Sequence, residues 1–223
     1  MIQLSFNENE IYERNKIIYE NGQPMFDIIP SKCALLVIDM QDEFVKPNWT
    51  LFWVPEATKQ VPKIKRMIEY CRTKNIPIIY TLFSDTHKFL DRPRYSNFMA
   101  NRYNDFNIEE RSSWFSNSKI WHELQPLKED IVIFKPSYGA FYDTPLETIL
   151  KNLGKDTVII CGTLTNFCCS TTARQAYERG YKVVFGSDIN SADDINLHEM
   201  ELKVLRKGFA KVITLNEIIK ELG

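Results

Sequence analysis

Six short runs of almost unbroken apolar, mostly β-branched residues constrain this chain more than any other feature: "CALLVID" (33–39), "IPIIYTLF" (76–83), "DIVIFK" (130–135), "DTVIICG" (156–162), "YKVVFGSD" (181–188) and "AKVITL" (210–215). Runs that do not alternate with polar residues suit strands buried on both faces, as in a parallel sheet. Between them, 58–74, 144–153, 166–179 and 195–207 read as amphipathic helices, and Gly154, Gly180 and Gly208 sit where helix C-termini favour glycine. This alternation predicts an α/β fold of three layers, a doubly wound, mainly parallel six-stranded sheet with helices on both faces. At 223 residues the chain is expected to form a single domain over 1–223. Two segments break the rhythm. Residues 1–30 lack a clear period and read as an N-terminal arm or extra hairpin. Residues 84–129 form a long connection rich in aromatics, Arg and Asn, and loops longer than about 12–15 residues are mostly lids or binding loops, so this one is expected at the active site or an interface.

Composition removes several functions. A formal net charge of -1 shows no basic excess for nucleic acid. The apolar runs fall far short of the roughly 20 residues that span a bilayer, so no membrane partner is expected. Five cysteines, an odd count without regular spacing, do not make a disulfide framework. The start "MIQLSFNENEIYERNK" is too polar for a signal peptide, and a cytoplasmic location is expected. The first strand-to-helix turn, "DMQDEFVKPNW", lacks the G-x-G-x-x-G of a dinucleotide site.

Open parallel sheets bind ligands outside the carboxyl ends of their strands. Three reactive side chains fall there: Asp39 closes "ALLVID", Lys135 closes "IVIFK", and Cys168 follows "VIICG" by one short turn. A thiol needs a base to become a nucleophile, a carboxylate can take that proton, and a lysine can hold both anions in place. Singly, each has a plainer role, Asp39 as a turn residue and Lys135 as a solvated charge; together they point to covalent catalysis. Cys33, Cys71 and Cys161 read as core thiols. Cys169 is expected to point into the packing between helix and sheet, because consecutive helical residues face about 100° apart. His198 reads as packing.

With these residues in view, "ALLVIDMQDEF", "KPSYGAFYDTPLETIL" and "VIICGTLTNFCCSTTARQAYERGYKVVFGSD" resemble the isochorismatase-like cysteine hydrolases in order and spacing from about Cys33 to the C-terminus. The resemblance implies a catalytic triad of Asp39, Lys135 and Cys168. It implies a cis peptide at Thr163–Leu164, with the Leu164 and Cys168 N–H groups facing a developing oxyanion. True isochorismatases lack this cysteine, so its presence moves the reading toward amide hydrolysis. The implied enzyme opens a C–N bond of a small amide, carbamoyl or ureido substrate without a cofactor. Asp85 and His87 look like two ligands of the metal used by nicotinamidases, but the loop that follows holds no further histidine and His122 lies far on, so no metal is expected. His87 is then a substrate-facing polar group, and Phe44, Trp49, Tyr138 and Phe141 are candidates for the pocket wall. A homodimer or homotetramer is expected, with the aromatic 95–121 segment completing a neighbour's pocket. The rivals are a metal-dependent, nicotinamidase-like deamidase and a non-catalytic thiol switch using Cys168 and Cys169.

Overall fold

The computed structural model describes residues 6–92 and 115–223. Each apolar run forms a strand: β1 (Cys33–Ile38), β2 (Ile78–Phe83), β3 (Ile131–Lys135), β4 (Thr157–Thr163), β5 (Lys182–Ser191) and β6 (Lys211–Ile213). They form one sheet in the order β3-β2-β1-β4-β5-β6 with every neighbouring pair parallel. The winding reverses once. β1 to β3 step outward to one edge, and β4 returns beside β1 before β5 and β6 step to the other. The carboxyl ends of β1 and β4 therefore flank the switch point, where connections diverge and leave a crevice.

Strand side chains alternate between two cores. Leu35, Val37, Ile78, Tyr80, Ile159 and Cys161 share one with Ala57, Val61, Ile64 and Met67 of α3 (Pro55–Thr73). Ala34, Leu36, Ile38, Val158 and Ile160 share the other with α4 (Leu146–Asn152), α5 (Ser170–Glu178) and α6 (Ile195–Gly208). Each fully buried aliphatic side chain contributes roughly 1.5–3 kcal/mol, which makes the central strands a rigid base for whatever sits at their ends. β3 departs from the two-faced burial its sequence predicts. It is an edge strand, and its Val132 and Phe134 are exposed.

Two helices of eight or more residues lie outside the four segments read as amphipathic helices. Residues 1–30, expected to form an arm or extra hairpin, hold the helix α1 (Glu8–Asn21). It begins with a capping box in which Asn7 Oδ1 accepts from the Glu10 N–H at 3.0 Å and Glu10 Oε2 accepts from the Asn7 N–H at 3.4 Å. None of its residues is buried, and its grip on α6 is polar: Lys203 to Glu20 at 2.6 Å and Lys207 to Asn15 at 2.6 Å. A helix attached this way needs no apolar stripe, which is why its sequence shows none. The other, a helix of residues 215–222, is capped by Thr214 and Glu217 and buries Leu215, Ile218 and Leu222 against the α3 side. Among the described residues no helix is long and apolar enough to cross a membrane.

At the switch point β1 and β4 approach closely. Gly162, paired with Ile38, has φ +128, and a Cβ there would stand 2.0 Å from the Ile38 carbonyl oxygen. Gly162→Ala is expected to destabilise the fold by at least about 1–3 kcal/mol, because strain in that φ region adds to a clash with backbone. A urea midpoint equal to wild type would show that the two strands do not meet as described.

Candidate active site

Asp39 follows the last residue of β1 with φ 51, a left-handed turn that asparagine and aspartate tolerate better than other side chains. Its N–H donates to the Thr81 carbonyl at 3.1 Å and its Oδ1 accepts from the Thr81 hydroxyl at 2.8 Å, so β2 fixes both ends of the residue. Lys135, the last residue of β3, extends past β2 and brings Nζ to 2.7 Å from Asp39 Oδ2. The same ammonium donates to the Ser137 carbonyl at 2.9 Å. Both side chains are fully buried. Oδ2 meets the ammonium as an ion pair without the angle of a hydrogen bond, so this oxygen keeps a lone pair for a proton.

The third member arrives from β4. After Thr163 the chain passes through a cis peptide to Leu164 and then a wide helical turn, Thr165–Cys169, that runs into α5. The Phe167 and Cys169 N–H groups both donate to the Leu164 carbonyl, at 3.2 Å and 3.1 Å. Cys168 lies in this turn with its thiol against both Asp39 and Lys135. The turn is pinned from outside: the Thr172 hydroxyl donates to the Cys168 carbonyl at 2.7 Å and accepts from the Ala140 N–H at 3.0 Å. That bond ties the loop after Lys135 to the turn bearing Cys168. Cys169 is fully buried in the core below, as its position on the turn predicts.

Burial governs the charges. It pushes the Cys168 thiol up to about 12, with Lys135 pulling the other way and Asp39 adding to the rise. A helix start beside a lysine suggests a ready thiolate; here desolvation outweighs that attraction, and the resting sulfur is a neutral thiol. Burial alone would depress the Lys135 ammonium, but Asp39 and Cys168 more than offset it, and its pKa stands above the usual 10.5.

Other candidates are placed unevenly. Tyr138 stacks on Phe83 with centroids 6.4 Å apart and meets Phe167 at 5.5 Å, and Phe83 meets Phe115 at 5.1 Å. This row of rings crosses the cluster, with Lys135 Nζ 5.2 Å from the Phe83 ring centroid. Phe44 joins its far end against Phe115 at 5.6 Å and is buried in the core, not open to a ligand. Trp49 is exposed beside Lys46, and Phe141 is buried against Tyr181. The Thr163 hydroxyl donates to the Ser191 carbonyl at 3.3 Å, so its side chain serves the β4–β5 pair and only its backbone borders the crevice. His87 stands exposed, its Nδ1 2.9 Å from Asp91 Oδ2, which raises its pKa. His122 lines a separate hollow of about 550 Å³ with Trp121, Val132 and Phe134, away from the cluster. Among the described residues no three His, Cys, Asp or Glu side chains converge as a metal site. Tyr95, Phe98, Tyr103, Phe106 and Trp114, expected to cover a pocket or an interface, lie outside the described residues.

Sequence reasoning missed Thr81, Thr172 and the buried pair of Gln41 and Glu43. Gln41 accepts from the Phe83 N–H at 2.8 Å and donates to its carbonyl at 3.0 Å. Glu43 accepts from Gln41 at 2.8 Å and from Ser118 at 3.0 Å. Together they lock the turn after Asp39 to the end of β2. A glutamine and a glutamate inside "MQDEF" carry no periodic signal; only their burial reveals the role.

An acid, a lysine and a thiol lie buried together at the switch point of a doubly wound parallel α/β sheet. The chain belongs to the isochorismatase-like hydrolase family: the family described as "Isochorismatase domain" matches residues 33–217. It is similar to Nicotinamidase 3 of Arabidopsis thaliana, 30% identical over 191 residues that cover 85% of this chain and 88% of that protein. It is also similar to Enterobactin synthase component B of Escherichia coli (strain K12), 30% identical over 85% of this chain but only 63% of that protein. Among solved structures, a cysteine hydrolase from Pseudomonas syringae pv. phaseolicola 1448A superposes with a TM-score of 0.79 at 27% identity, covering 89% of this chain and 95% of the other. N-carbamoylsarcosine amidase from Thermoplasma acidophilum gives 0.64 at 28% identity, covering 83% and 97%.

A buried neutral thiol has a reactivity signature. Iodoacetamide is expected to label Cys168 before the other four thiols, because it is 5% exposed and they are 0% exposed. With the thiol held at about 12, the labelling rate should climb with pH from about 7 to 10 without a plateau. Peptide mass spectrometry checks both, and a plateau near neutral pH would mean a resting thiolate.

Proposed function

We propose that this protein is a cysteine-dependent hydrolase that opens a C–N bond of a small amide, carbamoyl or ureido compound. The observation that supports this most directly is the single buried cluster of Asp39, Lys135 and Cys168. The proposed cycle uses each in turn. Asp39 takes the thiol proton as the Cys168 sulfur attacks the substrate carbonyl carbon, and the resulting oxyanion is held by the Leu164 and Cys168 N–H groups. The C–N bond breaks as Asp39 returns that proton to the leaving nitrogen, which leaves a thioester. Water then adds to the thioester with Asp39 accepting its proton, and collapse expels the sulfur, which regains the proton. Lys135 keeps Asp39 ionised between these transfers. A thiol that rests neutral suits this scheme, since proton transfer and attack are coupled and no buried anion has to persist alone.

The carbamoyl and ureido branch is preferred over the nicotinamidase branch, because the loop after Asp85 and His87 holds no third histidine to complete the donor set that a metal-dependent deamidase would need. The likeness to a carbamoylsarcosine amidase supports the same preference. We also propose a homodimer or homotetramer, motivated by the exposed apolar surface of Phe134 and Val132 on the edge strand. Light scattering should show more than one 26.2 kDa chain per particle, and a clean monomer at micromolar concentration would exclude this.

The activity is tested by ammonia release from a panel of primary amides, ureido acids and nicotinamide. Wild type should turn over at least one compound, Cys168→Ala none, and Asp39→Asn should lower kcat by about 10²–10⁴ with the fold retained. No turnover across the panel, or near wild-type kcat in Asp39→Asn, would remove the proposal.

A further inference from the structure

His198 takes no part in the cycle above, yet it is buried against the turn that carries the nucleophile. It lies in the first turn of α6, and its Nδ1 is 2.8 Å from the Thr165 hydroxyl oxygen. A neutral imidazole carries one N–H; with that hydrogen on Nε2, Nδ1 is bare and accepts from the Thr165 hydroxyl. Burial favours this neutral form by holding the imidazole below its usual 6.5. Thr165 is itself fully buried and opens the turn that ends at Cys169. The ring thus joins α6 to the turn after β4, 33 residues earlier in the chain.

Such a turn, with its wide hydrogen-bond repeat, is less regular than an α-helix and recurs at functional sites. Its sulfur has to stay against both Asp39 and Lys135, and a misplacement of about 1 Å in a reacting group can cost about a hundredfold in rate. We propose that His198 is a positioning residue: by accepting the Thr165 hydroxyl it fixes the start of the turn that presents Cys168. Its consequence for turnover rests on the hydrolase reading; its consequence for the thiol does not.

Alkylation of Cys168 by iodoacetamide at fixed pH, followed by mass spectrometry, reads the turn without a substrate. Thr165→Val and His198→Leu should each slow it about tenfold, and the double variant should be no slower than either, because both remove one shared bond. Thr165→Ser keeps the donor and His198→Asn keeps an acceptor near the Nδ1 position, so each should stay within about twofold of wild type. On any amide that wild type hydrolyses, kcat should fall by the same order with KM within about twofold, the pattern of a lost transition-state interaction. Unchanged or faster alkylation in Thr165→Val, or losses that multiply in the double variant, would overturn the proposal. Should His198→Leu fail to fold, Thr165→Val against Thr165→Ser decides alone. If wild type hydrolyses nothing, the hydrolase reading falls while the alkylation series still decides the role of His198.

Discussion

The contact between Lys135 and Asp39 is the interaction on which the rest of the site depends. An ammonium and a carboxylate removed from water each carry a penalty of several kcal/mol, and only close pairing with further hydrogen bonds offsets it. Here those bonds come from Thr81 and Ser137, 2.8 Å and 2.9 Å from the pair. The strand order explains why a lysine fills this role. β3 is two places from β1, and strands lie about 4.8 Å apart, so a group at the end of β3 has to reach across β2. A long flexible side chain can do this, and the threonine on the intervening strand supports the carboxylate it meets.

The same burial that makes the pair costly acts on the Cys168 thiol. A sulfur in this cavity experiences desolvation more strongly than it experiences the neighbouring ammonium, so it keeps its proton at rest. The Asp39 carboxylate meets Lys135 at Oδ2 and Thr81 at Oδ1, with the thiol close by. In the proposed cycle, proton transfer from sulfur to Asp39 would move negative charge within the reach of one fixed cation. Much of the surrounding polar structure immobilises these three groups. Gln41 holds the turn after Asp39 against Phe83, Thr172 joins the loop after Lys135 to the Cys168 carbonyl, and His198 anchors Thr165.

The places where sequence patterns failed share one physical cause. α1 bonds to α6 through charged and amide groups and buries nothing, so the hydrophobic period that marks a packed helix is absent, although its capping box was present in "NENE". Phe44, close in sequence to Asp39, suggested a pocket wall, but the short helix 42–45 turns it into the core against Phe115. Phe83 and Phe167, which line the cluster, looked like ordinary residues of a strand and a turn. His198 looked like packing because an isolated histidine on an amphipathic helix gives no sign of what its nitrogens face.

By itself the sequence determined the strands, the parallel α/β class, the resemblance that named the family, and the three side chains at the strand ends. The strands and class follow from local composition and period, the site from the rule that parallel sheets offer their carboxyl ends to ligands, and the family from the resemblance of its motifs. Tertiary structure alone decided that Asp39, Lys135 and Cys168 form one buried cluster, that burial raises the thiol's pKa, and that His198 turns to Thr165. Those outcomes depend on distances between residues tens of positions apart and on how completely water is excluded. Neither quantity exists until the strands have taken their order in the sheet.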